Sequence, residues 1–320
     1  MTGTIQKSRR LRATALLAAL LFACVSGCSG GSETDAIGGD NDPAIRVLLI
    51  PADGSTAAGT LSDYRPLFVA LSHTTRMRFE LTVTQSYGAA VEGICNGVAD
   101  VAFVGPATYL QARQRGCAEL LAVGVRNGQP AYYAGIFVAQ DSPAQSLADL
   151  RGARMAFGDI NSTSSFLMPV SMLMDAGLNP ARDLGAARIT GSHPNSLNAL
   201  LQGQVDAAAL SLNSYDRALR AGIPGAERLR VLARSEAMPY PPFIMNSRLP
   251  AATKQRLRQA FAMLSRERRF QGRTLPGYGG HTVEGYITDF SEEPFNHMAR
   301  RLARVTPAVK ADILELAARQ

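Results

Sequence analysis

The chain carries few of the groups that catalysis needs. Its four histidines form no metal-ligand cluster, and one of them, His73, falls at an expected surface turn. No Gly-x-Ser-x-Gly elbow stands between a strand and a helix, and no pair of carboxylates is spaced for acid–base work. These absences argue against a hydrolase, a phosphatase or a transferase, and no cofactor or metal is expected. A dense Lys/Arg patch interleaved with aromatics is missing too, so nucleic acid is not an expected partner. Hydrophobic residues make up 46% of the 320 positions and charged ones 18%, with no low-complexity tract, which is the profile of a globular protein large enough for two lobes. The net charge of +7 overstates the basic surface. Lys7, Arg9, Arg10 and Arg12 all precede residue 28 and no acid does, so without them the charge is about +3.

Long apolar runs are also scarce. Residues 13–25 follow a basic stretch and are too few to span a bilayer comfortably, which reads as an export signal. The run ends in Val25-Ser26-Gly27-Cys28, which resembles a lipobox, where a small residue precedes a cysteine that is acylated and becomes the mature N-terminus. Residues 1–27 are therefore expected to be a lipoprotein signal peptide and Cys28 the lipid anchor. Residues 28–43 are rich in Gly, Ser, Asp and Asn, have little to bury, and read as a flexible tether. Such a chain works outside the cytoplasm, on the periplasmic side of a membrane or at the cell surface.

From residue 44 onward strands and helices alternate. Strands are expected at 45–51, 78–84, 99–105, 120–125, 132–139, 189–192, 204–210, 228–233 and 243–246, the last of them. Helices are expected at 64–72, 86–97, 106–115, 168–176, 195–202 and 213–220. The remainder from 253 reads as mostly helical, with a Gly-rich loop at 277–280. This alternation predicts a largely parallel α/β sheet. One pattern occurs twice: a helix closes on Gly and a Val-Asp-x-Ala type of strand follows, in Gly97-Val-Ala-Asp-Val-Ala-Phe and in Gly203-Gln-Val-Asp-Ala-Ala-Ala. Two such halves suggest two lobes with a cleft between them. Ligands of open α/β sheets sit at the carboxyl ends of strands, which gathers Ser55, Tyr87, Gly105, Ser162, Thr163, Ser164, His193 and Asn213.

The stretch Phe157-Gly-Asp-Ile-Asn-Ser-Thr-Ser-Ser-Phe-Leu-Met-Pro169 is the most informative. A short apolar strand runs into four consecutive hydroxyl residues, Ser162 to Ser165, and then into helical spacing. The first N–H groups of a helix lack internal partners and lie at the positive end of its dipole. Hydroxyls beside them make a cradle for a small oxyanion, and one N-cap would need only one hydroxyl.

Several motifs then follow a fixed order: Tyr87-Gly-Ala-Ala-Val-Glu-Gly, Asp100-Val-Ala-Phe-Val-Gly-Pro106, Ala131-Tyr-Tyr-Ala, Ser146-Leu-Ala-Asp-Leu-Arg-Gly152, Phe157-Gly-Asp-Ile-Asn-Ser-Thr-Ser164, Gly191-Ser-His193 and Gly203-Gln-Val-Asp206. Over about residues 45–264 the chain thereby resembles the substrate-binding proteins of phosphate, phosphite and phosphonate ABC importers, the PhnD-like group. The resemblance implies a two-lobe, type II periplasmic-binding-protein fold of the α/β class. Each lobe is expected to be a mostly parallel sheet flanked by helices, and two hinge strands join them. Lobe 1 is expected at 44–136, lobe 2 at 137–236, and the completion of lobe 1 with the C-terminal helices at 237–320.

The resemblance also implies a site. Ser162, Thr163 and Ser164 would hold the oxygens, Tyr87 and Tyr132 would donate phenolic hydroxyls, and His193 an imidazole N–H. Ser55 is a further candidate. Relatives that carry aminoalkyl phosphonates hold the ammonium group with carboxylates, and counting from His193 and Asp206 places those positions at Asn213 and near Pro241, neither acidic. A phosphate, a phosphite or a small non-amino phosphonate is therefore the expected ligand. Ser165 stands where the group usually has Gly. An ABC permease is the implied partner, and a monomer is expected. Cys95 and Cys117, in an oxidising compartment, are expected to form a disulfide. The alternative is a periplasmic sensor of the same fold, for an oxyanion or for arsenite held by Cys95 and Cys117, that signals to a membrane kinase.

Overall fold

The computed structural model describes residues 34–38, 43–52, 56–266, 275–276 and 282–319. The signal peptide, Cys28, Ser55 and the loop at 277–280 lie outside them.

The early strands are β1 (Thr34–Ile37), β2 (Ile45–Leu49), β3 (Phe79–Val83), β4 (Val101–Phe103), β5 (Ala118–Val125), β6 (Ala131–Tyr132) and β7 (Ala134–Ala139). Then come β8 (Arg154–Phe157), β9 (Ala186–Ile189), β10 (Ala207–Ser211), β11 (Leu229–Arg234), β12 (Met238–Pro239) and β13 (Pro242–Asn246). Short strands β14 (Leu275–Pro276), β15 (Thr282–Val283) and β16 (Gly285–Ile287) follow. The helices are α1 (Ala57–Thr75), α2 (Tyr87–Cys95), α3 (Pro106–Gln114), α4 (Met168–Asp175) and α5 (Pro180–Asp183). They continue with α6 (His193–Leu201), α7 (Leu212–Arg220), α8 (Ala251–Arg266), α9 (Glu293–Leu302) and α10 (Pro307–Ala318).

Two sheets carry the two lobes. Lobe 1 has the order β1-β3-β2-β4-β13-β5-β16 and lobe 2 the order β11-β7-β10-β8-β9. The two-lobe α/β fold is as expected, but the sheets are mixed rather than mostly parallel. Only β2–β3, β2–β4, β8–β10 and β8–β9 pair in parallel; the other neighbours within the two lobe sheets are antiparallel. The antiparallel members include the strands beside the crossings: β7 enters lobe 2 and β13 re-enters lobe 1, each against the direction of the βα units. The hinge is a ribbon of β6 and β12, with Tyr132 opposite Met238 and Ala131 opposite Pro239. The switch to lobe 2 thus falls at residues 132–134, ahead of the expected boundary at 136, which lies inside β7. The C-terminal helix α10 packs on β9 and α5 of lobe 2, so the last segment visits both lobes.

Three further expectations need correction. Residues 34–37 of the expected tether form an edge strand on β3, with Ile37 buried and Asp35 paired to Arg65 of α1. Main-chain pairing asks little of side chains, so the polar composition concealed it. Residues 243–246 are not the last strand, because β16 adds to β5. Finally, 189–192 is not a strand: β9 ends at Ile189, and Ser192 instead caps α6, its side chain accepting from Asn195 N.

The repeated sequence pattern has one structural meaning in both lobes. Asp100 accepts from Arg46 N at 2.9 Å, from Nε at 3.0 Å and from Nη2 at 2.7 Å. Asp206 does the same for Arg154, at 2.8, 3.1 and 2.7 Å. In each lobe the Asp ties the start of a parallel strand to its neighbour, and the preceding Gly (φ 73° at Gly97, 66° at Gly203) ends the helix in a left-handed turn. Cys95 and Cys117 are joined by a disulfide with Cα atoms 4.8 Å apart, tying the last residue of α2 to the turn between α3 and β5. Neither sulfur is then free to take arsenite.

Candidate functional site

Helix starts converge where the lobes meet. α2, α6 and α7 are capped by Ser86, Ser192 and Ser211, whose side chains accept from the N–H three residues on. Ser162 caps a π-helical turn, Thr163–Leu167, that runs directly into α4. The π turn has a cause in the sequence. Pro169 has no N–H and its ring crowds the carbonyl four residues back, that of Ser165. Ser165 O instead accepts from Gly158 N at 3.0 Å, and Leu167 N donates to Ser162 O at 3.0 Å, the i→i+5 bond of a π turn. This folds the four hydroxyl residues back against the end of β8.

α3 is the exception, because its N-cap is Gly105, which has no side chain to offer. The missing acceptor comes from the other lobe: Thr163 Oγ1 accepts from Ala107 N at 2.9 Å. A Cβ placed on Gly105 would lie 3.3 Å from Thr163 Oγ1 and 3.6 Å from Tyr87 Cε1, so Gly here permits a close approach between lobes. Nearby, Thr108 Oγ1 donates to Asn161 O at 3.3 Å.

His193 is the first residue of α6 and almost fully buried. Its Nδ1 accepts from Ser211 N at 3.2 Å. A backbone N–H can only donate, so Nδ1 is the acceptor in this bond and the ring N–H is on Nε2. His193 N donates to Ala52 O at 3.4 Å, which sets α6 against the loop after β2. Leu212 N donates to Tyr133 O at 3.0 Å, which brings the start of α7, and with it Asn213, to the hinge residues Tyr132 and Tyr133.

These contacts join the expected residues in two groups, Thr163 with Gly105 and Tyr87, and His193 and Asn213 with Ser211 and the hinge. Tyr87, Thr163 and Gly105 are in direct proximity; His193 and Asn213 stand at the starts of α6 and α7; Tyr132 lies on the hinge ribbon. Tyr87, Tyr132, Ser162, Thr163, Ser164, His193 and Asn213 are all buried. Ser55 belongs to the undescribed residues, three positions beyond Ala52. Ser165 turns its side chain toward the end of β8: a Cβ on Gly158 would meet its Oγ at 2.1 Å. Its hydroxyl is buried without a hydrogen-bond partner.

The sequence reading passed over Asp159. Its Oδ1 accepts from Asn161 N at 2.7 Å and its Oδ2 from Tyr87 N at 3.1 Å. Burial pushes its carboxyl above the ordinary range, against the pull of the Asn161 and Tyr87 amides and the Lys310 charge. The signal in the sequence was an Asp directly before a hydroxyl-rich loop, a residue type that seldom stays buried without partners.

The arrangement can hold a small anion by neutral donors: backbone N–H groups at helix starts, hydroxyls and one imidazole N–H. Residues 55–277 match the profile of a family described as the ABC transporter, phosphonate, periplasmic substrate-binding protein. The phosphate-import protein PhnD of Mycolicibacterium smegmatis is 27% identical over 278 residues, covering 83% of this chain and 86% of that protein. The crystal structure of a binding protein component of an ABC phosphonate transporter from Pseudomonas aeruginosa superposes with a TM-score of 0.71 at 19% identity, over 87% of this chain and 98% of that one. PhnD1 from Prochlorococcus marinus in complex with methylphosphonate gives 0.68 at 19% identity, over 82% and 98%. With its fold, its helix starts at the lobe junction and this profile match in agreement, the chain belongs to the periplasmic phosphonate-binding family of ABC transporter substrate-binding proteins.

Proposed function

We propose that the protein captures a phosphorus oxyanion without an amino group (phosphate, phosphite or a small alkyl phosphonate) and presents it to an ABC permease. The observation that supports this most is the absence of charge among the ligand candidates. Ser162, Thr163, Ser164, Tyr87, Tyr132 and His193 are neutral donors, and Asn213 stands where an ammonium-binding relative has a carboxylate. The one buried acid nearby, Asp159, has both oxygens engaged by backbone N–H groups. An ammonium group would find no uncommitted carboxylate among these residues, and desolvating it unpaired is costly. The relatives named for phosphate import and crystallised with methylphosphonate lie within the same ligand class.

In this reading the hydroxyl loop of lobe 2 and the helix starts of lobe 1 each supply part of the site, so the ligand stabilises the closed state by contacts that exist only there. The protein binds without turnover. It is anchored outside the cytoplasm through Cys28 and acts as a monomer.

Isothermal titration with phosphate, phosphite, methylphosphonate and 2-aminoethylphosphonate tests the proposal. Heat and a saturable isotherm are expected with at least one of the first three and not with the fourth. Tightest binding to the aminoethyl compound would overturn it.

A further inference from the structure

Three hydrogen bonds from lobe 1 end on one short loop of lobe 2. Besides the Thr163–Ala107 bond, Asn161 accepts from Thr108 Oγ1 and, through Oδ1, from Gln111 Nε2 at 3.3 Å. Lys310 of α10 donates to the same Oδ1 at 3.1 Å. Asp159 adds a fourth bridge of a different kind, because it is ionisable and buried, at 8% exposure. Its Oδ2 takes the N–H of Tyr87, the first residue of α2. A carboxylate at a helix start meets both an unpaired donor and the positive end of the dipole.

Its other oxygen holds Asn161 N within the loop, so one carboxylate shapes the loop and grips the opposite lobe. Further lobe-to-lobe contacts are the His193 N–Ala52 O bond and, on α7, the pairs of Arg217 with Asp63 and of Arg126 with Asp216 at 3.7 Å. The two ion pairs are partly exposed, and exposed pairs contribute little. When the lobes part, Asp159 and Tyr87 N must exchange each other for water. A bond present in only one of two states biases the equilibrium between them.

We propose that Asp159 is a lobe-bridging positioning residue: its carboxylate pins the start of α2, and with it Tyr87, onto the hydroxyl loop, and so tunes how tightly the lobes close over the ligand without touching the ligand. This rests on the oxyanion-binding reading above. Asp159 contributes only to closure, while Thr163 and His193 contribute donors to the ligand itself.

The test uses Asp159→Asn and Asp159→Ala in the full chain. Affinity for phosphate and methylphosphonate is measured by titration, dissociation by stopped flow, ligand-free stability by thermal melting, and closure by small-angle scattering. Loss of a hydrogen bond to a charged group corresponds to about ten- to hundredfold in Kd. Asp159→Ala should weaken binding in that range, chiefly through faster dissociation, and Asp159→Asn by less. The ligand-free melting temperature of Asp159→Asn, which keeps an oxygen for Asn161 N, should fall little, because the lobes can part without unfolding and the loss is capped by the gap between closed and open states. Asp159→Ala, which also loses the Asn161 bond inside the loop, should melt lower, but by less than its loss of affinity. Unchanged affinity would overturn the proposal, as would an affinity loss matched by an equal loss of ligand-free stability, the mark of a loop that has merely collapsed. If the wild-type protein bound none of the phosphorus oxyanions, the ligand assignment would fail instead. The bridge would then be judged on ligand-free scattering, where both variants must be more open than wild type or the proposal is rejected.

Discussion

Replacing Thr163 by Val tests the site at its centre. The two side chains have nearly the same shape, and Thr163 is 1% exposed, so packing is retained while one hydroxyl is lost. That hydroxyl has two roles. Its oxygen accepts from Ala107 N across the lobes, capping a helix whose own N-cap is glycine. In the proposed reading its proton donates to the ligand. With Val, closing the lobes would bury Ala107 N–H without a partner and remove one donor from the oxyanion. Together these losses come to about 2–4 kcal/mol, roughly 30- to 1,000-fold in Kd. In the open state Ala107 N–H takes water, so the ligand-free melting temperature should hardly move. Isothermal titration of wild type, Thr163→Val and Thr163→Ser against the best ligand of the panel reads the effect. Ser keeps the hydroxyl and should stay close to wild type. A Thr163→Val affinity within threefold of wild type, on the order of 0.7 kcal/mol, would refute both the cross-lobe cap and the ligand role.

Other expectations follow from the same contacts. Gly158→Ala would drive a Cβ into Ser165 Oγ at 2.1 Å and Ser165 Cβ at 2.8 Å, and should cost about 1–3 kcal/mol in urea unfolding. Ser165→Gly in the same chain should recover most of that cost, and purely additive effects would disprove the contact. The Cys95–Cys117 bridge closes a separation of 22 residues. Replacing both cysteines by Ser should lower stability by about 3 kcal/mol, a loss that the same protein under reducing conditions should reproduce. Arg154 holds the Asp206 carboxyl below its ordinary range, so that carboxyl's stabilisation is fully present above the unfolded value and is lost as pH falls through the depressed folded one. Asp206→Asn should therefore be less stable than wild type at neutral pH, and the two should converge in denaturant melts run below the carboxylate range; a gap that persisted there would assign the effect to something other than ionisation.

Much of the fold was readable because periodicity and punctuation are local. α2, α3 and α7 stand within a residue or two of where apolar spacing, Pro106 and the closing glycines put them. Edge strands were harder. β1 is polar and β16 short, and each owes its existence to a neighbour that offers unpaired N–H and C=O groups, β3 and β5. Strand direction was equally hidden, since alternation with helices does not say which strands return antiparallel after a crossing.

The hydroxyl loop, the tyrosines and His193 could be named from their order along the chain, because each is a residue type whose chemistry does not depend on distant partners. What the loop does with them was decided by folding. Thr163 reaches a helix 56 positions away, Asp159 one 72 away, and Ser211 sets the imidazole proton of a histidine 18 positions before it. The order of residue types along the chain was enough to suggest neutral donors for an anion. Only the meeting of two lobes determined that Thr163 and Asp159 are spent holding the lobes together. Hydrogen bonds between remote segments leave no periodic trace in sequence, so the three-dimensional chain alone records them.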